Sequence, residues 1–159
     1  MKMAGWTNRG KRNALGVLFN GETLPTNFYM ALATSATAPT QDTNTFGQLT
    51  EIAAGNGYTT GGYSLTKNTT DFPGLNEDDT GDLGEIDVGP AAGIVWTASG
   101  GSIPDSGDGA RYAVLIDDDG TVANREVWFY WDLTSDRSVS SGQTLTLTGG
   151  SGEIRITQT

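Results

Sequence analysis

The sequence contains no cysteine and no histidine. The first absence excludes a disulfide framework, a thiol nucleophile and an iron–sulfur cluster. The second removes the Ser-His-Asp triad, the usual zinc sites and the commonest general base. No apolar run approaches the roughly 18 residues of a membrane-spanning helix. The first residues are basic but lack an apolar stretch of about 7–15 residues, so they do not read as a secretory signal. Hydrophobic residues make up 36% of the chain, below the roughly 45–50% of an average globular domain. Lys and Arg number only 9, against 19 Asp and Glu. Thr, Ser, Asn and Gly must therefore cover much of the surface.

Glycine is abundant instead, 23 of 159 residues, about twice the usual share of roughly 7%. Gly and Pro together still fall short of the roughly 25–30% that marks low-complexity disorder. Four Trp, five Tyr and five Phe can seed a core, since each aromatic buries about 150–250 Å². The length suits one domain, residues 1–159. Charge is uneven along it. Residues 1–20 hold Lys2, Arg9, Lys11 and Arg12 and no acid, a charge of +4, while the remainder carries −14. An acidic body repels nucleic acid and anionic membranes, so neither is expected as a partner. The basic segment suits docking on something acidic, or is simply a solvated helix face.

Residues 7–19 read as the only helix, within an N-terminal segment 1–24. Thr7 can cap it, and Gly21 sits where a left-handed residue ends a helix. Ala14, Leu15, Val17, Leu18 and Phe19 make its second half apolar. Gly10 and Gly16 weaken it by about 1 kcal/mol each relative to Ala. A helix this short needs a surface to pack on.

After Pro25 the pattern changes to the period of a strand. Asn27–Ala33 is a strand; a long loop or arm follows at 34–60, least periodic over 34–48. Tyr63–Lys67 is a short strand. Residues 71–89 are acidic, with Leu83, Ile86 and Val88 on an edge strand. Ile94–Ala98, Ala110–Ile116 and Arg125–Trp131 are further strands. In the last, Val127, Phe129 and Trp131 share one face, and Trp128 and Tyr130 the other. Asp117–Gly120 reads as the turn between the two strands that flank it. Leu145 and Leu147 alternate with Thr144, Thr146 and Thr148, and Ile154 and Ile156 with Glu153, Arg155 and Thr157. Gly142-Gln143 and 149–152 supply turns. Seven or eight short strands predict an all-β fold, an antiparallel β-sandwich or jelly roll with one short N-terminal helix. Leu115, Val127, Phe129 and Leu145 are the expected core.

Two acidic stretches invite a metal reading. Asp117–Gly120 fails the EF-hand spacing, because Thr121 and Val122 fall where an acid and a Gly are needed. Residues 76–87 fit better: Asn76, Asp78 and Thr80 occupy ligand positions and Gly81 the turn. The twelfth position is Asp87 rather than the longer Glu that binds bidentately, and no helices flank the loop. It is a weak Ca²⁺ candidate, and no metal or cofactor is expected. Paired carboxylates could run glycoside hydrolysis without histidine, with Trp side chains lining a sugar cleft, but any acidic domain supplies such pairs by chance. No Walker A loop, nucleophile elbow or dinucleotide fingerprint is present. Trp128, Tyr130 and Trp131 could stack on sugars, pack in the core, or line a subunit interface.

Four runs carry a resemblance: Ile94-Val-Trp-Thr-Ala-Ser-Gly-Gly-Ser-Ile-Pro104, Ala110-Arg-Tyr-Ala-Val-Leu-Ile-Asp-Asp118, Tyr130-Trp-Asp-Leu133 and Val139-Ser-Ser-Gly-Gln-Thr-Leu-Thr-Leu147. With the short helix leading to Pro25-Thr-Asn-Phe-Tyr-Met-Ala-Leu32, they resemble a family of small tailed-bacteriophage virion proteins. Its members are labelled tail fibre or minor structural proteins, and similar folds act as capsid decoration proteins. The resemblance is weakest over residues 34–90 and brings no catalytic signature. It implies a non-enzymatic β-sandwich located in the virion, where it oligomerises with itself, expected as a trimer. The major capsid protein or another virion protein would be its partner. A tail or head fibre module binding a host surface glycan is the alternative, and a carboxylate-driven glycosidase a third reading. The interface candidates are Arg9, Lys11, Arg12, Leu15, Leu18 and Phe19.

Overall fold

The computed structural model describes residues 4–149 and 153–157. Lys2 of the basic segment and most of the turn expected at 149–152 lie outside them. The elements follow in the order β1 (Ala4–Trp6), α1 (Asn8–Phe19), β2 (Asn27–Ala33), β3 (Tyr63–Thr66), β4 (Asn76–Asp78), β5 (Leu83–Ile86), β6 (Ile94–Thr97), β7 (Ala110–Ile116), β8 (Val127–Arg137), β9 (Thr144–Leu147) and β10 (Ile154–Thr157). Short 3₁₀ turns lie at 46–48 and 122–124. This is an all-β domain with one short N-terminal helix.

Among the described residues three antiparallel sheets are formed. The largest has the order β1-β8-β7-β2-β3, a second β10-β5-β4, and a third pairs β6 with β9. The apolar runs of β2 and β7 are continuous because these central strands are covered on both faces. On one side, Met30, Leu32, Leu65, Leu115 and Phe129 join the main core with Ile94, Trp96 and Leu145 of the two-stranded sheet. On the other side, Ala31, Ala33, Val114, Ile116 and Val127 pack beneath Phe46 and Leu49.

Residues 34–60 carry no α-helix or strand, and this long loop packs down as the cover of the second cluster. Phe46 and Leu49 are buried, and backbone bonds pin the segment: Phe46 N–H to the Arg125 carbonyl at 2.9 Å, Ile52 N–H to that of Leu32 at 3.1 Å. The segment lacks period two because it lies across the strands as a cover. Two readings change. Leu83–Ile86 is the central strand of its sheet, since β10 pairs along one side and β4 along the other. The connection between β7 and β8 runs from Asp117 to Glu126, longer than a turn at Asp117–Gly120; Asp117 Oδ1 closes it by accepting from the N–H groups of Asp119 at 3.2 Å and Glu126 at 3.0 Å.

The face assignment in β8 also changes. Leu115 lies opposite Phe129, but Ile116 lies opposite Val127, so β8 carries one extra residue at Trp128. This β-bulge resets the alternation. Val127 packs in the second cluster, whereas Trp128, Phe129 and Trp131 all contribute to the main core. Three large aromatics thus enter one core from four successive positions, which an unbroken strand would forbid.

Leu115→Ala and Phe129→Ala are each expected to lower stability by about 2–5 kcal/mol in chemical denaturation, because both side chains are buried in the main core. Leu18→Ala should change it by less than about 0.5 kcal/mol, since Leu18 is 68% exposed. Equal losses at the three positions would contradict this packing.

Candidate interaction surface

Helix α1 is fixed by its first turn. The Thr7 hydroxyl accepts from Gly10 N–H at 2.8 Å and donates to the Val127 carbonyl, while Thr7 N–H donates to the Trp128 carbonyl at 3.1 Å. One fully buried side chain therefore caps the helix and ties it to the bulge in β8. Gly10 follows from that attachment. A Cβ there would stand 2.3 Å from the Trp128 carbonyl oxygen. Gly16 lies against the Glu22 carboxylate, 2.4 Å from where a Cβ would be.

The helix thus buries its small and polar side, Gly10, Asn13 and Gly16. Its apolar side points outward: Leu15 is 58% exposed, Leu18 68% and Phe19 82%. These three occupy one face, at spacings of three and four residues. This is the reverse of an ordinary surface helix, whose apolar stripe faces the core.

The basic candidates divide. Arg9 pairs with Glu126 at 3.1 Å, and Glu126 also accepts from Asn13. Arg12 forks onto both oxygens of Glu22. Lys11 alone of the three has no ion-pair partner among the described residues. It lines a groove of about 520 Å³ with Leu15, Leu18, Trp6, Arg155 and Ile156. The Trp6 indole crosses the groove floor by donating to the Arg155 carbonyl at 2.8 Å, joining β1 to β10.

Trp6 and Ile156 also line a neighbouring apolar cavity of about 320 Å³. Phe28, Phe72, Trp128 and Phe129 form much of its wall; Leu75, 83% exposed, and Ile156, 66% exposed, are its most open lining residues. The exposed apolar surface therefore runs from Phe19 through Leu15 and Leu18 to Ile156 and Leu75. Sequence reasoning found the helical part of it. It missed Trp6 and Leu75, because a strand of three residues and a single Leu in an acidic stretch have no periodicity to read, and it placed Ile156 on a strand without its neighbours.

The Ca²⁺ candidates are not brought together as a binding loop. Asn76 and Asp78 lie in β4, paired with Glu85 and Leu83. Asp78 Oδ1 accepts from the N–H groups of Thr80 at 2.9 Å and Gly81 at 3.0 Å, closing a turn. Asp87 donates its N–H to the Pro73 carbonyl at 2.9 Å. Among the described residues no cluster of three acidic side chains is placed to hold a metal.

Three carboxyl groups are held above the ordinary range, each chiefly by burial: Glu51, Asp117 and Glu153. Each also bonds backbone N–H groups, a structural use. Glu51 Oε1 accepts from the Tyr58 hydroxyl at 2.8 Å and Gly61 N–H at 2.6 Å, and Tyr58 in turn accepts from Leu32 N–H at 3.0 Å. Arg125 stacks 3.8 Å from the Tyr29 ring centre and donates to the carbonyls of Asp119 and Gly61. Together these bonds fasten the loop segment to the sheet. A second groove, of about 470 Å³, is lined by Leu133, Arg137 and the hydroxyl-bearing Thr134, Thr144, Thr146 and Thr148.

No family model, curated protein or solved structure matches this chain.

Because the folded state holds the Glu51 carboxyl above its unfolded value, ionised Glu51 opposes folding. Its contribution to stability should rise as pH falls from neutrality through the raised folded value, and level off below the unfolded value. Glu51→Gln, whose Oε1 can accept the same two bonds, is expected to melt at or above the parent temperature at pH 7. It should also gain less on acidification to pH 5. A variant that gains as much as the parent in melting scans at both pH values would refute this.

Proposed function

We propose that this chain is a non-enzymatic bacteriophage virion structural protein, a capsid decoration or cement protein that oligomerises on the particle surface. The inferred architecture is a sandwich in which the five-stranded sheet faces the other two, of the jelly-roll kind. The observation that carries the reading is the outward apolar face of α1. A helix anchored through Gly10 and Asn13, with Leu15, Leu18 and Phe19 in solvent, is built to attach to something else. The chemistry agrees: the chain has no histidine or cysteine, and its raised carboxyl groups serve backbone bonds. Dense antiparallel pairing also suits a particle that must persist where no chaperone acts.

A second reading, a fibre module that binds a host surface glycan, draws on the groove of threonine hydroxyls beside Arg137. Copy number separates the two. A cement protein is present in hundreds per particle, a fibre protein in tens or fewer, on the order that shell and tail symmetries allow.

Leu15→Asp with Leu18→Asp is expected to abolish incorporation into particles while the isolated protein keeps its melting temperature, both side chains being exposed. Lys11→Ala should only weaken incorporation and make it less salt-sensitive, since exposed ion pairs are worth about 0–1 kcal/mol. Quantitative gels of purified particles read both the loading and the copy number. Full loading of the double variant would remove α1 from the attachment.

A further inference from the structure

We infer that the apolar cavity between β10, β5 and the five-stranded sheet receives Phe19 of a second copy of this chain. The inference rests on the proposed self-association and names the contact that would drive it.

Knob and hole are both present in one chain. Phe19 is 82% exposed at the end of a helix whose position is fixed by the Thr7 cap and by the close approach of Gly10 to β8. The cavity, about 320 Å³, lies within the roughly 300–1,000 Å³ of ordinary ligand sites and is walled mainly by aromatic rings. A few side chains that fill well-packed, desolvated pockets dominate the binding energy between proteins, and large aromatics are frequent among them. Gly84 lines the cavity, and nothing lies within 4 Å of where its Cβ would be. A larger residue at that strand position would have filled this space.

Charge selects a second copy as the occupant. The helix bears Arg9, Lys11 and Arg12 and no acid. β4 and the turn that leads to β5 carry Glu77, Asp78, Asp79 and Asp82, while Arg155 of β10 is paired with Glu85 of β5 at 3.1 Å. Arg9 and Arg12 have internal partners, which leaves Lys11 to meet the acidic edge. A partner presenting a cation and an aromatic about two turns apart on one helix is what this edge would select, and this chain presents one in Lys11 and Phe19.

Contiguity fixes the symmetry. The helix face and the cavity mouth are neighbours, sharing Trp6 and Ile156 in their linings. A single surface with an aromatic knob at one end and an apolar hole beside acidic residues at the other is self-complementary about a two-fold axis. Each copy gives Phe19 and receives Phe19, with Ile156 near the axis. The assembled unit is then a two-fold dimer, where the sequence resemblance alone led to a trimer.

Sedimentation equilibrium of the full chain tests this. The parent is expected to dimerise. Phe19→Asp, at an exposed position, and Gly84→Leu, in open space, should each keep the melting temperature. Each should also weaken association by at least about thirty-fold, the loss of an anchor residue. An equal mixture of the two should recover association, because the Phe19 of the Gly84→Leu chain can enter the open cavity of the Phe19→Asp chain. A monomeric parent at high micromolar concentration, association untouched by Gly84→Leu, or a mixture no stronger than its components would each overturn the inference. Particle loading is a separate readout. A monomeric chain that still loads through α1 would end this inference and leave the proposed function standing. A dimer that never enters particles would do the reverse.

Discussion

One extra residue in β8 sets the terms for most of the molecule. At the Val127–Trp128 bulge the strand shifts its alternation, so that Val127 faces the cover of residues 46–49 while Trp128, Phe129 and Trp131 enter the main core. The same irregularity presents the carbonyls of Val127 and Trp128 to Thr7. The helix is seated on those two carbonyls, and the seating requires Gly10 to lie flush against the backbone. From this one constraint come the aromatic core, the place of the helix and the outward direction of its apolar residues.

Local signals in the sequence found the elements they should. Thr7 and Gly21 bracket α1, and the runs 27–33, 110–116 and 127–131 are strands because their apolar density has no other stable use. What was not legible is non-local. The bulge depends on the partner strand: Trp128 reads as an ordinary alternating residue until Ile116 is known to face Val127. β4 is a strand because β5 pairs with it; its own Asn-Glu-Asp sequence suggests a loop. The cover at 46–60 has its apolar residues at irregular intervals, set by the sheet beneath. The exposed stripe was half legible, since a helix face has a period; Trp6 and Leu75 belong to no periodic run, and the alternation in β10 marks a strand without marking its neighbours.

The helix is unusual in dividing two tasks between its faces. Small residues allow backbone-to-backbone approach on the inside, where one hydroxyl and one Asn satisfy the local polar groups. Leucine and phenylalanine are thereby released from core duty. Paired arginines keep the outer face soluble without contributing much free charge. Such an arrangement makes the outward apolar face nearly independent of fold stability. The surface can then change without unfolding the domain that carries it.

The order of strands in the sheets also dictates when the chain can fold. β7 and β8 are neighbours in sequence and in space, but β1 must wait for β8, β2 for β7, and β5 for β10. A ribosome delivering this chain from its N-terminus releases β1 and β2 long before their partners exist. Until residue 137 emerges, the apolar runs of β2 and β3 have no completed sheet to enter, and loop closure over such separations is slow. The pairing of β7 with β8 is the longest between successive strands, and β1 and β2 complete the sheet on either side of it. The five-stranded sheet therefore closes only after residue 137 has emerged, and until then the apolar runs of β2 and β3 are open to association with other chains.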